Sequence, residues 1–301
     1  MKKTTYILLF ALLAILSCTN DEEKVLHEVS VSFNPVLQEN TRATNGDTYP
    51  ADTPFGVWAF SLPANKRWAD DAPAATTYMN REVVSYSSGS WQPSVPYQWK
   101  SDIQLTFFAY SPAWLDASYN SENGITVADH DIDSDCGFMF TYPQSDNSNL
   151  YNYGCVSLPF VNALAKIKFN VRSKAILGRT LHLKHIYLDT LAHKGPFHSL
   201  PEAHWTTTGD RRQQDIFKGD LELGSAITEI GSMTAMPKTT KQPIKLTVDI
   251  YDRDGKLIIA DRAIETVSPT GTWKVGKYYE YTIDVYSDSA TFITDYIPKN
   301  L

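Results

Sequence analysis

Histidine is the residue type in this chain that most readily supports metal binding or acid–base catalysis, and seven are present. Ligands on one strand must be two residues apart to share a face. His182 and His185 are three apart, so we predict that they face opposite sides of a strand. The remaining candidates lack both zinc-ligand spacing and a nearby cysteine; they are His193, His198 and His204. The sequence therefore predicts no metal site.

An acidic segment, DHDIDSDCG at residues 129–137, imitates the first half of a calcium-binding loop. Its aspartates have the alternating spacing of oxygen ligands. The sixth position needs a glycine and holds Cys136, and the twelfth needs a bidentate glutamate and holds Tyr142. We interpret the segment as a solvated loop, with an adventitious surface calcium ion as the alternative.

Nucleophilic catalysis has no support in the sequence either. There is no G-x-S-x-G elbow and no cysteine beside a histidine in a basic setting. The paired carboxylates of a glycosidase can lie far apart in a chain, but nothing points to such a pair here. We predict no catalytic residue, no cofactor and no enzymatic activity.

Tryptophan leaves two interpretations open. The seven indoles could pack the inner faces and ends of β-sheets, or some could form platforms on which sugar rings stack. We favour core packing and keep a host or plant glycan as an alternative ligand. The residues concerned are Trp58, Trp68, Trp91, Trp99, Trp114, Trp205 and Trp273.

Charge and composition limit the classes of partner. The formal net charge is −7 and basic residues do not cluster, which argues against nucleic-acid binding because that needs a basic stripe. Hydrophobic residues make up 43% of the chain and charged residues 20%, the balance of a folded globular protein.

The first eighteen residues have the pattern of an export signal. Lys2 and Lys3 precede an apolar segment, residues 7–16, that is too short to span a bilayer as a helix. The segment ends in ILSC, which resembles the lipobox of bacterial lipoproteins, and this resemblance implies a lipid on Cys18. The acidic tract TNDEEK that follows resembles a surface-export signal. We expect a surface-exposed protein anchored to the outer membrane.

Two further cysteines, Cys136 and Cys155, would then lie in an oxidising compartment. The residues between them read as strand, loop and strand, so a hairpin could bring the two thiols together. A disulfide and two buried free thiols both remain open.

Period-two alternation of apolar and polar residues predominates, and helical periodicity is scarce. Turn signals such as Asp254-Gly255 separate the alternating segments, as in tight hairpins. The pattern predicts an all-β protein of two tandem antiparallel β-sandwiches. A polar stretch at 115–157 precedes a strong new strand, so we place the domains at 43–159 and 160–301. The clearest predicted strands are 55–60, 103–110, 164–172, 181–189, 244–252, 256–264 and 278–286.

Several segments together resemble fimbrillin-like proteins. They are TRATNGDTYPADTPFGVWAF at 41–60, SSGSWQPSVPYQWKSDIQLTFFAYSP at 87–112, FVNALAKIKFNV at 160–171 and GTWKVGKYYEYTIDV at 271–285. With the lipobox, the resemblance covers nearly the whole chain. It implies transthyretin-like sandwiches and a lipoprotein-derived pilus subunit located in the outer membrane and the fimbrium.

The resemblance also implies that residues 19–42, before the first domain, are a pro-segment with a groove-filling strand. Val29, Val31 and Phe33 alternate with polar residues as in a strand that fills a groove. Arg42 follows in a polar linker that a protease could enter. The resemblance implies cleavage between Arg42 and Ala43, loss of the strand together with the lipid, and its replacement by a strand from another pilus subunit. A plain strand and loop is the alternative.

One departure from the family concerns the chain's position in a pilus. Only a short segment, 287–301, follows the last predicted strand, so an extended donor strand is not expected. Phe292, Thr294 and Tyr296 could form one short strand. A strand-accepting tip subunit and a lipidated anchor are both compatible with this end, and so is a surface glycan-binding lipoprotein.

Overall fold

A computed structural model of the chain describes residues 28–38, 48–132, 137–145, 154–268, 271–293 and 299–300. Strands dominate, and the named helical elements of the described part are α1 (Trp68–Asp71) and a 3₁₀ turn (Ala72–Ala74). The prediction of an all-β protein with several antiparallel sheets is confirmed. No described helix has the length and apolar content that crossing a membrane requires.

The first half of the chain forms a sheet that closes on itself. Seven strands follow one another in the order β10-β12-β2-β5-β4-β3-β7, and β10 also pairs with β7. We call this closed set the ring. The strands of this half are β1 (Glu28–Ser30), β2 (Ser32–Leu37), β3 (Phe55–Pro63), β4 (Thr76–Ser87), β5 (Ser90–Pro93), β6 (Gln98–Lys100), β7 (Ile103–Ser111), β8 (Ala117–Asn120), β9 (Gly124–Asp131), β10 (Met139–Phe140), β11 (Gln144–Ser145) and β12 (Cys155–Asn162).

The second half forms two sheets that face each other across an apolar core. One has the order β18-β13-β21-β22, with β23 also on β21, and the other the order β17-β14-β19-β20. The strands are β13 (Ala165–Ser173), β14 (Thr180–Ala192), β15 (Lys194–His198), β16 (His204–Trp205), β17 (Arg211–Glu222), β18 (Thr228–Ala235), β19 (Pro243–Tyr251), β20 (Leu257–Val267), β21 (Lys277–Val285), β22 (Ala290–Ile293) and β23 (Lys299–Asn300).

Local sequence explains the hairpins. β19 and β20 pair antiparallel across the predicted turn, where Gly255 has a φ of 74° that glycine adopts without strain. Two pairings between distant strands are parallel, β12 with β2 and β13 with β21. Parallel neighbours need long connections, so turn residues do not reveal them.

The two halves share a small sheet. β9 of the first half pairs with β15 of the second, in the order β16-β15-β9-β8. The proposed division between residues 159 and 160 falls inside β12, which pairs with β2 in the ring. The chain leaves the ring only at Ala163 and Leu164, both buried, and enters the second core at Ala165.

Candidate functional site

The amino-terminal strand lies inside the ring rather than beside it. β2 pairs in parallel with β12 and in antiparallel orientation with β5, and the preceding β1 pairs with β6. The backbone N–H of Val31, between β1 and β2, donates to the Tyr97 carbonyl at 2.9 Å. Without this segment, the ring would be open between β5 and β12.

Burial follows the predicted alternation and continues past it. Val31 and Phe33 are 1% and 3% exposed, and Val29 is half-buried opposite Trp99. Pro35 is buried on the same face, and Leu37 is half-buried. The predicted groove-filling residues end at Phe33, but the period of two in the sequence continues through residues 35 and 37.

The walls of this groove are aromatic. The Phe33 ring packs edge-to-face against Phe55 and Phe107, with centroids 5.9 and 5.8 Å away. Val156 and Leu158 of β12 complete the same buried cluster. Each large apolar side chain buried here contributes about 1.5–3 kcal/mol, so the strand is a substantial part of the first core.

Backbone pairing of β2 is unequal on its two sides. Six residue pairs join it to β12, from Ser32 opposite Cys155 to Leu37 opposite Phe160, whereas Phe33 opposite Trp91 is the one pair with β5. Pro35 has no N–H to donate, which limits hydrogen bonding within β2. The strand is therefore attached to its neighbours mainly along β12.

Gly154 fits the backbone closely around this strand. Its φ is +74°, and a Cβ added there would lie 2.3 Å from the carbonyl oxygen of Ser30. Its own carbonyl accepts a hydrogen bond from the Ser32 N–H at 3.0 Å. Glycine is required here both for the backbone conformation and for the approach of the amino-terminal segment.

The chain is fixed on both sides of the linker that contains the predicted cleavage site. The Gln38 N–H donates to the Phe160 carbonyl at 2.9 Å. Beyond the linker, the Tyr49 ring is buried against Phe55, Trp91 and Phe160. Its hydroxyl donates to Ser111 Oγ at 2.7 Å, and burial raises the pKa of this tyrosine.

Several predicted residues lie outside the described part of the chain, namely Cys18, Arg42, Ala43, Cys136, Thr294 and Tyr296. Their roles stay predictions. Cys155 is half-buried at the start of β12, and the choice between a disulfide with Cys136 and two free thiols stays open. Phe292 falls within β22, which pairs with β21.

The prediction that His182 and His185 face opposite sides is wrong. A β-bulge at Lys184 shifts the register between Leu183 and His185, so both histidines lie on the outer face of β14. They still do not converge. His182 Nδ1 is 2.8 Å from a carboxylate oxygen of Asp220, and His185 Nε2 is 2.9 Å from one of Asp215.

Metal-binding potential is low in the part of the chain that the structure describes. No three His, Cys, Asp or Glu side chains there are placed to hold a metal ion. His193 is buried, whereas His198 and His204 pair across β15 and β16 with ring centroids 5.3 Å apart.

The tryptophans mostly pack in cores. Trp58, Trp99 and Trp273 are buried, and Trp91 is 8% exposed beside the amino-terminal strand. Trp114 is the exception, with 64% of its surface exposed. Core packing therefore accounts for most of the indoles.

Comparison with known protein families identifies one that covers most of the chain. The model of the fimbrillin-like family matches residues 41–297, well over half of the chain. The match begins one residue before Arg42, so it excludes the strand that fills the groove. No curated protein matches the sequence.

Solved structures share the fold at low sequence identity. A fimbrial protein from Bacteroides vulgatus superposes with a TM-score of 0.65 at 17% identity, covering 90% of this chain and 99% of the other. A protein from Bacteroides uniformis assigned to cell adhesion superposes with a TM-score of 0.53 at 14% identity, covering 90% and 98%. At these identities the likeness establishes the fold.

Proposed function

This chain belongs to the fimbrillin-like family, and on that premise we propose that it is a structural or adhesive pilus subunit. It is made as a lipoprotein precursor, cut after Arg42 and assembled by strand exchange. The observation that carries the proposal is the position of β2, a separable segment that completes the ring and lies upstream of Arg42 in the sequence.

The packing of β2 supports exchange rather than simple loss. Its removal would uncover Phe55, Phe107 and the side of β12 that now pairs with it. An exposed apolar groove beside an unpaired strand edge is a template for another strand. Since burial of Val31 and Phe33 disfavours spontaneous dissociation, a competing strand from another subunit displaces the segment.

Cleavage after Arg42 would leave the body of the protein anchored in its own core. Tyr49, seven residues downstream, is buried against the Phe55 and Phe160 side chains inside the closed sheet. The new amino terminus at Ala43 would therefore stay attached near the groove. The lipid on Cys18 would leave with residues 19–42, which converts an outer-membrane precursor into a subunit free to join a fimbrium.

The carboxy-terminal segment supports a strand-accepting role. β22 and β23 both pair with β21 of the chain's own second half. A tip subunit accepts a strand and donates none, and this arrangement is consistent with that position. An uncleaved, lipidated anchor is the second candidate, and the cleavage assay separates the two.

The processing step is tested by Arg42→Ala in cells that assemble pili, with Arg212→Ala, an arginine on β17, as the matched control. We expect Arg42→Ala protein to stay membrane-bound and unpolymerised, and control protein to appear in shed fibres with Ala43 as its first residue by mass spectrometry. Shed fibres that contain the Arg42→Ala protein would refute cleavage at this site.

The anchor is tested separately by fatty-acid labelling of the precursor. We expect label on the wild type and none on Cys18→Ala. An unlabelled wild type would refute the lipoprotein proposal without touching the strand-exchange proposal.

A further inference from the structure

A cavity of about 720 Å³ is lined by the β15–β16 connection and by the segments that follow β18 and precede β21. Its lining includes the aromatic side chains of Tyr142, Trp205 and Trp273, and three lysines. These lysines, Lys238, Lys274 and Lys277, come from two segments that are joined by the bridge between Lys238 and Trp273.

The lysines lack carboxylate partners. None of the three makes an ion pair among the residues that the structure describes. Burial, together with a smaller effect of the nearby Arg211, lowers the pKa of Lys238 to about 7. Burial also lowers the pKa of Lys277, and so does repulsion from Lys274. Three lysine amino groups without a carboxylate ion-pair partner among the described residues therefore line this cavity, and an anion bound there would favour their protonated forms.

Backbone hydrogen bonds hold the lysine-bearing segments of the cavity in place. Lys238 and Trp273 exchange two backbone hydrogen bonds, of 3.0 and 2.8 Å. Lys238 Nζ lies 4.0 Å from the centroid of the Trp273 ring and donates to Gln242 Oε1 at 2.9 Å. The Lys274 N–H donates to the Tyr279 hydroxyl at 2.8 Å. Such preorganisation reduces the cost of binding an anion.

The aromatic side chains of Trp205 and Tyr142 in the lining can pack against a flat apolar surface. Trp205 is half-buried, and its indole N–H donates to the Ala163 carbonyl at 2.7 Å, which fixes the ring. Tyr142 is 40% exposed. Glu202 also lines the cavity. Burial raises the pKa of Tyr142, and the negative charge of Glu202 raises it as well. Thr239 and Thr272 add hydroxyl groups to the lining.

We propose that this cavity binds an acidic saccharide, a hexuronic or sialic acid residue of a glycan, with its carboxylate on Lys238 and Lys277 and its ring against Trp205 and Tyr142. A pyranose ring has an apolar face that packs on aromatic rings, and its hydroxyls pair with threonine and histidine side chains. The volume lies within the range of small-molecule sites. The site is independent of strand exchange, which takes place in the ring.

The direct test is calorimetric titration of the full-length chain. The probes are N-acetylneuraminic acid and a glucuronic acid disaccharide, with glucose and sodium phosphate as controls for the sugar and the anion. We expect saturable binding of an acidic saccharide and at least tenfold weaker binding of glucose and of phosphate. Equal binding of glucose, equal binding of phosphate, or no binding of either acidic probe would overturn the assignment.

Variants locate the binding to the cavity. Lys238→Gln and Lys277→Gln should each weaken binding of the acidic probe about tenfold or more, whereas Lys238→Arg should retain it. Lys256→Gln, in the exposed turn between β19 and β20, is the matched control and should bind like the wild type. Equal losses in Lys238→Gln and Lys256→Gln would refute the site. Pilus assembly is scored in parallel, so that failure of the ligand and failure of the proposed function are distinguishable.

Discussion

β2, in the first half of the chain, and β22, near the end of the second half, hold different places in their sheets. β2 lies between two neighbours in a closed ring, and its side chains reach the centre of an aromatic core. β22 lies at the end of an open sheet, and in the described part of the chain β21 is its one pairing partner. Loss of β2 opens a core, whereas loss of β22 exposes a sheet edge.

Replacement of β2 and replacement of β22 would make different demands on a competing strand. Displacing an interior strand requires a competitor of matching apolar pattern, because the groove left behind is too hydrophobic to remain open. A terminal edge strand can leave at lower cost but leaves no deep groove to be filled. This difference is what the proposed strand exchange in the first half requires.

Truncation provides the strongest test of this comparison. A chain that begins at Ala43 should lose several kcal/mol of unfolding free energy in its first half, since each buried apolar side chain of the segment contributes about 1.5–3 kcal/mol. A chain that ends at Ser289 should lose less, about 1–3 kcal/mol. Urea unfolding followed by tryptophan fluorescence measures both.

A synthetic peptide of residues 28–38 is the control for the first truncation. It should restore stability to the chain that begins at Ala43 and leave the other truncation unchanged. Equal losses in the two truncated proteins would contradict the comparison.

A single side chain should reproduce much of the larger effect. Phe33→Ala removes the ring that contacts Phe55 and Phe107, and we expect a loss of about 3–5 kcal/mol in unfolding free energy. Asn34→Ala, on the exposed side of the same strand, should change it by about 0.5 kcal/mol or less. Similar effects of the two changes would mean that β2 is not part of the core.

Glycine substitutions separate backbone strain from strand packing. Gly154→Ala combines a positive φ with a contact of 2.3 Å to Ser30, whereas Gly89→Ala has a positive φ and no atom within 4 Å. We expect Gly89→Ala to cost about 1 kcal/mol and Gly154→Ala clearly more. Limited proteolysis should also release the amino-terminal segment faster from the Gly154→Ala protein, and equal release would disprove the role of this close approach.

A separate prediction concerns the pH dependence of stability in the second half. The pKa of Lys238 falls from 10.5 when unfolded to about 7 when folded, so the unfolded chain binds the extra proton between these values. The stability of the second half should therefore fall as the pH is lowered from about 10 to 7. Arg211, Lys274, Lys277, His204 and Glu202 surround the same cavity or lysine.

The difference in unfolding midpoint between wild type and Lys238→Met measures this dependence. The variant should gain stability relative to the wild type at pH 7 and lose that gain near pH 10, with the first half unaffected. A difference that does not vary with pH would show that Lys238 keeps its ordinary pKa in the folded protein.

Local patterns accounted for strands and hairpins but not for bulges. The turn at Gly255 and the alternation of Val29, Val31 and Phe33 were both evident in the sequence. The histidine faces of β14 were predicted incorrectly because a bulge at Lys184 inserts one residue into the period of two. Nothing in the neighbouring residue types marks that insertion.

Residue order over a few positions is enough to predict the all-β class, an export signal and the apolar face of the amino-terminal strand. That β2 completes a ring beside β12, more than a hundred residues away, is visible only in the tertiary structure. The tertiary structure also shows that Lys238, Lys277 and Trp205 share one cavity. Parallel pairing and convergence of distant segments depend on the packing of whole sheets, and no short pattern in the chain encodes them.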